Sequence, residues 1–285
     1  MAKDRSKIPM AQIPEVTYIG HATLLVQIDG VRILTDPLLR KQVTFLYRYA
    51  PPVEPGLYQS LDAVLISHMH YDHLDFPSLR MLDAIPRLVV PAGAAGFLRK
   101  HGITQYEEVQ VGDQISIGSL NVRATPADHY RRRGPFGTQA DCLGFVLQGS
   151  ISVYFPGDTR YFPGMASIAN HLDIALMPVW GWGYSPGRMH LNPRQAAHAL
   201  SVLRPRYAIP IHWGTYAPIG SRWLKPPYLF FPPVDFASLA KEYAPQVKVH
   251  ILAPGDKLAI EDGFRSLAPT GSPFIFSPDP QAAEG

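Results

Sequence analysis

An apolar run, Ala63-Val64-Leu65-Ile66, leads directly into Ser67-His68-Met69-His70-Tyr71-Asp72-His73-Leu74-Asp75, so a short buried strand must end where five potential metal ligands fall within eight residues. Imidazole and carboxylate groups are the usual ligands of zinc and other borderline divalent cations. A His-x-His-x-Asp-His cluster can hold two ions once other segments complete their coordination, so completing ligands are expected elsewhere in the chain. The plain alternative, polar residues of a surface loop, does not account for these residue types at this spacing.

The chain of 285 residues is 46% hydrophobic and 17% charged, a core-forming composition. Its formal charge of +3 lacks the footprint of a dedicated nucleic-acid binder. A single cysteine, Cys142, excludes an intrachain disulfide, and its apolar surroundings give the thiol no expected chemistry. The first residues, Met1 to Lys7, are not followed by the apolar stretch of a signal peptide, and no apolar run approaches the roughly 20 residues that span a bilayer. A cytoplasmic protein of one domain is expected over 1–285, with loose ends at 1–14 and about 263–285. Twenty-nine prolines and 23 glycines, many clustered, indicate strands joined by long shaped loops.

Along the chain, strands are expected at 16–19, 22–28 and 31–35, the last two joined by the hairpin signal Asp29-Gly30. Residues 38–60 read as a long aromatic loop. Helices are expected at 76–84 and 94–101, around a strand at 87–90, an alternation that marks helices covering a sheet. Strand signals return over 106–127 and recur at 142–147, 151–155 and 173–179. Asn192-Pro193 opens a helix to Leu203, with Asn as cap and Pro in its first turn. A strand follows at 207–211, then another aromatic loop at 213–233, a helix at 235–243 and a strand at 247–252. The glycine-rich stretch after 173–179 has the spacing Gly-x-Gly-x-x-x-Gly with prolines on either side, and does not read as a nucleotide-binding loop.

Three isolated residues share one position: His129, Asp158 and His212 each lie just beyond an expected strand, as His68 does. Binding groups in open α/β structures gather at the carboxyl ends of strands, so four loops can bring together His68, His70, Asp72, His73, His129, Asp158 and His212. Asp36 and Asp75 suit the free N–H groups of ligating imidazoles, and His21 is placed with them. Arg131, Arg132 and Arg133 are either a solvated loop or, beside a metal, a holder of phosphate or carboxylate. With Trp180, Trp182 and Tyr184 they would line a pocket suited to an amphipathic anion. His101, His171, His198 and His250 are read as structural.

The His68-x-His70-x-Asp72-His73 pattern with later His, Asp and His ligands resembles the metallo-β-lactamase-fold hydrolases. The closest likeness is to their N-acyl-phosphatidylethanolamine phospholipase D-like branch, carried by Gly20-His21-Ala22-Thr23, Leu34-Thr35-Asp36-Pro37, the 67–75 stretch, Met189-His190-Leu191-Asn192-Pro193, His212-Trp213-Gly214-Thr215-Tyr216 and Lys225-Pro226-Pro227. The family enzyme has a longer N-terminal part, and its lipid-facing segments find no match here. The resemblance implies an α/β fold, a four-layer αβ/βα sandwich of two mixed β-sheets. It implies two divalent ions, zinc first with manganese or iron able to use the same ligands. His68, His70 and His129 would hold one ion, Asp72, His73 and His212 the other, with Asp158 bridging.

The implied activity is hydrolysis by a metal-bound hydroxide near Asp72 and Asp158, with His190 handling substrate, most simply on a phosphodiester of small-molecule or lipid-like anionic character. The superfamily's di-iron members tend to carry Glu where His70 stands, which favours hydrolysis. A lactonase or sugar-phosphate hydrolase like the ascorbate-phosphate lactonases is the competing enzymatic expectation, a nuclease is disfavoured by the modest charge, and a non-catalytic metal-binding protein is the alternative of another class. Peripheral membrane contact and oligomeric state stay open.

Overall fold

The structure is a computed structural model that describes residues 13–260 apart from 84–85, 135, 169–170, 182–184 and 222–225. Two seven-stranded sheets carry the fold. The first runs, in spatial order, β17 (Lys257–Ala259), β1 (Glu15–Gly20), β2 (Thr23–Ile28), β3 (Val31–Thr35), β6 (Ala63–Leu65), β7 (Arg87–Pro91) and β8 (Glu107–Val109). The second runs β16 (Lys248–Val249), β14 (Tyr207–Ile211), β13 (Ile174–Pro178), β12 (Ser152–Phe155), β11 (Leu143–Gln148), β10 (Leu120–Pro126) and β9 (Gln114–Ile117). Each sheet is antiparallel over its first strands, β17-β1-β2-β3 and β9-β10-β11-β12, and parallel over the rest. The two halves therefore mirror each other in pairing pattern.

Period-2 alternation along the strands divides the core. Val16, Tyr18, Leu24, Val26, Ile33, Leu65 and Val89 of the first sheet meet Val122, Ala124, Phe145, Leu147, Val153 and Phe155 of the second in one continuous cluster. Their neighbours Ile19, Leu25, Leu34, Val64, Leu88 and Val90 face the other way and pack with Phe76 of α1 (Phe76–Leu79) and Leu98 of α2 (Ala95–Lys100). On the far side of the second sheet, α3 (Pro193–Leu203) lays Ala196, Ala197, Leu200 and Leu203 onto the core and packs against α4 (Phe231–Tyr243). Asn192 caps α3 as expected, accepting from the Gln195 N–H while the Gln195 side chain accepts from the Asn192 N–H, a reciprocal capping box. Cys142 is buried and its thiol is pushed up to about 12, chiefly by that burial, in keeping with the absence of assigned chemistry.

Several expectations need correction. Residues 38–60 are not structureless: β4 (Gln42–Val43) and β5 (Leu46–Arg48) join β15 (Tyr216–Pro218), from the other aromatic loop, in a third sheet of three strands. Tyr216 pairs with Arg48 and Pro218 with Leu46, so the two loops brace each other. Strands of two or three residues are too short to show alternation. The helix expected at 76–84 stops at Leu79, and Asp83 turns aside to accept from the Ser60 N–H at 3.2 Å. The last expected strand shrinks to Lys248–Val249, and β17, unforeseen, closes the edge of the first sheet against β1. The expected loose end at 263–285, and residues 1–12 of the other, lie outside the described residues.

Candidate metal centre

Strand ends build the site. His21 follows β1, Asp36 follows β3, residues 67–75 follow β6, His129 follows β10, Asp158 follows β12, and His212 is the residue after β14. The chain must bend sharply to aim these groups inward. His21, Asp36 and His212 take left-handed backbone conformations at φ 59°, 33° and 64°, which non-glycine residues adopt only when their surroundings over-determine them. Gly157, at φ 61°, permits the close approach that sets Asp158: a Cβ there would stand 2.6 Å from the Ser67 Cβ and 2.8 Å from the Leu143 carbonyl oxygen.

The hydrogen bonds of the histidines settle which nitrogen each one offers. Ser67 Oγ donates to Asp36 Oδ2 at 2.5 Å, so it accepts from His68 Nδ1–H at 2.9 Å and leaves the lone pair of His68 on Nε2. His129 Nδ1–H donates to the Met189 carbonyl at 2.9 Å, freeing Nε2. His70 Nε2–H donates to the Arg132 carbonyl at 3.1 Å, freeing Nδ1. Those three free nitrogens then face one another, His68 Nε2 and His129 Nε2 at 3.0 and 3.1 Å from His70 Nδ1. Lone pairs so converged repel unless a cation stands among them. Burial holds His68 and His70 below the usual imidazole range and pushes His129 down to about 4, so all three are neutral near pH 7.

A second set lies deeper. Asp36 Oδ2 accepts from His73 Nδ1–H at 2.7 Å, aiming the free Nε2 of His73 inward, where it makes no hydrogen bond. It stands 3.1 Å from Asp158 Oδ2 and 3.7 Å from Asp72 Oδ2. His212 Nε2 lies 3.1 Å from Asp158 Oδ1, again unaligned for a hydrogen bond, and both atoms are buried without partners. Asp158 also reaches toward the first set, with Oδ2 at 3.9 Å from His129 Nε2. Burial alone would raise Asp72 and Asp158, but His73 and His21 around the one, and His212, His73 and His190 around the other, hold both carboxyls well below their usual range. Burial would likewise lower His73, yet Asp158, Asp72 and Asp36 carry it well above the imidazole range. The three carboxylates thus favour positive charge beside His73. Converging lone pairs, orphaned buried acceptors and this preference for a cation all fit the divalent ions expected of the ligand set.

Asp36 takes the orienting position expected of it, bonded to His73 and, through Ser67, to His68. Asp75 does not: its carboxylate caps α1 by accepting from the Ser78 N–H and hydroxyl, and pairs bidentately with Arg40 at 2.6 and 2.8 Å. The arginine triplet separates into three jobs. Arg131 is tied to Asp141 on the surface. Arg133 is buried, donates to the carbonyls of Met69 and Leu74, and stacks over Tyr71 at 4.2 Å, so it braces the ligand loop instead of meeting substrate. Arg132 alone of the three lines the cavity of about 570 Å³ that opens over His70, Asp72, His129, Asp158 and His190, with Tyr71 and Tyr130 at its walls.

His190 Nε2 lies 3.1 Å from Asp158 Oδ2; burial would lower it, but Asp158 outweighs that and raises it. Trp180 packs on Ala217, Tyr228 and Leu229, while Trp182 and Tyr184 lie outside the described residues. Unassigned from sequence were Ser67, Thr215 and Arg48. Thr215 Oγ1 accepts from the His21 N–H at 2.7 Å, and Arg48 donates to the Ile19 carbonyl at 2.7 Å, so both hold the turn that carries His21. The available signals were that Ser67 and Thr215 lie inside stretches that carry the resemblance and that Arg48 is a lone charge in an aromatic segment.

A model of the beta-lactamase superfamily domain matches residues 31–213. The chain is 31% identical over 228 residues to a protein of Mycobacterium tuberculosis, covering 74% of this chain and 61% of that one, so it spans about three fifths of those mycobacterial relatives. It is 30% identical over 247 residues to a UPF0173 metal-dependent hydrolase of Methanopyrus kandleri, covering 85% of this chain and 97% of the relative. Among solved structures it is similar to a metallo hydrolase of the hyperthermophilic archaeon Ignicoccus hospitalis, with a TM-score of 0.65 at 23% identity over 89% of this chain and all of that one.

Proposed function

Because the chain belongs to the beta-lactamase superfamily and has the metallo-β-lactamase fold, we propose that it is a metal-dependent hydrolase working through two divalent ions, zinc first among the candidates, and that its substrate is a phosphodiester. The observation that carries this reading is the convergence of His68, His70 and His129 on one point and of Asp72, His73 and His212 on another, with Asp158 reaching both. When bound, such ions supply Lewis acidity at the attacked centre and lower the pKa of a shared water toward neutrality.

The chain's own groups do the remainder. His190, which Asp158 raises above its ordinary value and which is partly open to the cavity, is placed to give a proton to a leaving oxygen. Arg132 at the rim offers a bidentate donor to an anionic group, and Tyr71 and Tyr130 offer flat apolar walls to whatever that group carries. Arg131 and Arg133 are committed elsewhere, so a single arginine is left for the anion. That observation supports a second reading, hydrolysis of a lactone or sugar phosphate, which needs less positive charge at the rim.

The test is a panel of phosphodiesters and lactones assayed with the wild-type protein and with Asp72→Ala and His212→Ala. Diester cleavage that both variants abolish is expected. Turnover of lactones alone would favour the second reading, and activity unchanged in both variants would end the metal-dependent one.

A further inference from the structure

The second ligand set contains one more nitrogen than the pattern that first pointed to it. His21 is almost wholly buried in the two-residue turn between β1 and β2, far in sequence from the 67–75 loop, yet its Nε2 lies 2.9 Å from Asp72 Oδ2. Its ring lies over that of His212 with centroids 3.8 Å apart. Single ligand atoms of His21, Asp72, His73 and His212 all fall within 4.8 Å of one another. Groups about 2.1 Å from a common ion are separated by roughly 3–4 Å, close to the 2.9 Å from His21 Nε2 to Asp72 Oδ2, the 3.7 Å from His73 Nε2 to Asp72 Oδ2 and the 3.0 and 3.1 Å among the His68, His70 and His129 nitrogens.

The backbone points the same way. His21 and His212 come from the ends of β1 and β14, one in each sheet, and both are left-handed, at φ 59° and 64°. They are joined directly, the His212 N–H donating to the His21 carbonyl at 2.8 Å. Gly20 lets the turn sit against Thr215, whose side chain would lie 2.6 Å from a Cβ at that position. A turn that only closed a hairpin would use Asn-Gly or a similar pair at such torsions. Here a histidine occupies a left-handed position, buried and tied at both its N–H and its carbonyl.

We propose that His21 is itself a ligand of the second cation, so that this ion is held by His21, His73 and His212 with Asp72 and the shared Asp158, while the first is held by His68, His70 and His129 with Asp158. The two positions are then unequal by one carboxylate, and the deeper one retains its ion more tightly. This rests on the reading of the cluster as a paired metal centre.

Titration of chelator-stripped protein with Co²⁺, following ions bound per chain and the visible d–d absorption, tests it in wild type, His21→Ala, His21→Gln and His21→Asp. Glutamine keeps an N–H for Asp72 but is a poor ligand, whereas aspartate can ligate without donating and tolerates a left-handed backbone. Two ions are expected in wild type. In His21→Ala and His21→Gln the ion of the deeper site, the tighter of the two in wild type, should bind more weakly by more than the roughly 100-fold typical of an outer hydrogen-bond partner, with the ion of the His68, His70 and His129 set still bound. His21→Asp should regain the second ion with a shifted spectrum. If His21→Ala fails to fold, the Asp and Gln variants decide. Wild-type binding and spectrum in His21→Gln, or two ions held unchanged in His21→Ala, would overturn the proposal. Wild-type protein that binds no Co²⁺ would instead sink the paired-centre reading beneath it.

Discussion

The His68, His70 and His129 set and the Asp72, His73 and His212 set differ in what surrounds them. His70 and His129 line the open cavity, and the set is oriented by neutral acceptors, the carbonyls of Arg132 and Met189 and the hydroxyl of Ser67. The side chains of His73 and His212 are fully enclosed, and their set is held by carboxylates and by left-handed turns at Asp36 and His212. The histidines of one set are therefore partly open to the cavity, and those of the other are sealed off among carboxylates. Asp158 is the only carboxylate within 4 Å of ligand nitrogens in both, among the described residues.

Breaking that link should have the largest effect. Asp158→Asn removes a charge shared by the two sets, and hydrolysis should fall about 10³-fold, the scale for losing a group that offsets transition-state charge. Steady-state kinetics at saturating metal check it, and a loss confined to metal affinity with kcat intact would show that Asp158 only binds. Asp36→Asn is next: the carboxylate that aligns His73 and, through Ser67, His68 becomes an amide, and metal affinity should drop about 10–100-fold by chelator competition. The steeper loss is expected at the His73 set, because Asp36 touches it directly.

The two arginines beside the cavity sharpen the contrast between buried and exposed charge. Arg133→Ala strips two carbonyl acceptors of the 67–75 loop of a buried cationic donor and should cost about 2 kcal/mol in urea unfolding. Arg131→Ala removes a pair that is more than half solvent-exposed on the arginine side and should cost well under about 1 kcal/mol. Equal effects would contradict the bracing role.

The smallest expected effect is in pH dependence. In metal-free protein His129 titrates at about 4 instead of its ordinary value near 6.5, so between those values the unfolded chain holds more protons and stability is lost as pH falls. His73 and His190, both raised, have the opposite sign: their stabilisation is full below the ordinary value and is lost as pH rises through the folded one. Urea midpoints from pH 7 to 4 should therefore fall less steeply in His129→Ala than in wild type. An unchanged slope would mean His129 is not neutral in the native site.

The 67–75 stretch and the strand-end positions of His129, Asp158 and His212 were legible in sequence because each follows an apolar run, and strand ends gather on one edge of such a fold. The contrast between the sets was not. Asp75 looks like Asp36 in sequence, since both are acidic residues near a motif, but only spatial neighbours decide that one aligns an imidazole and the other caps α1 and pairs with Arg40. The arginine triplet reads as one patch, whereas a hairpin bridge between Arg132 and Gln139 sends consecutive side chains to different surroundings. The pairing of β5 with β15, which supports the His21 turn, joins short segments some 170 residues apart, with no local pattern to announce it.

Elemental analysis of protein purified without added metal, joined to diester hydrolysis before and after chelation, tests the paired centre most directly. The account predicts two divalent ions per chain and hydrolysis that disappears with the chelator and returns with the metal. A chain without stoichiometric metal, or hydrolysis indifferent to chelation, would contradict it.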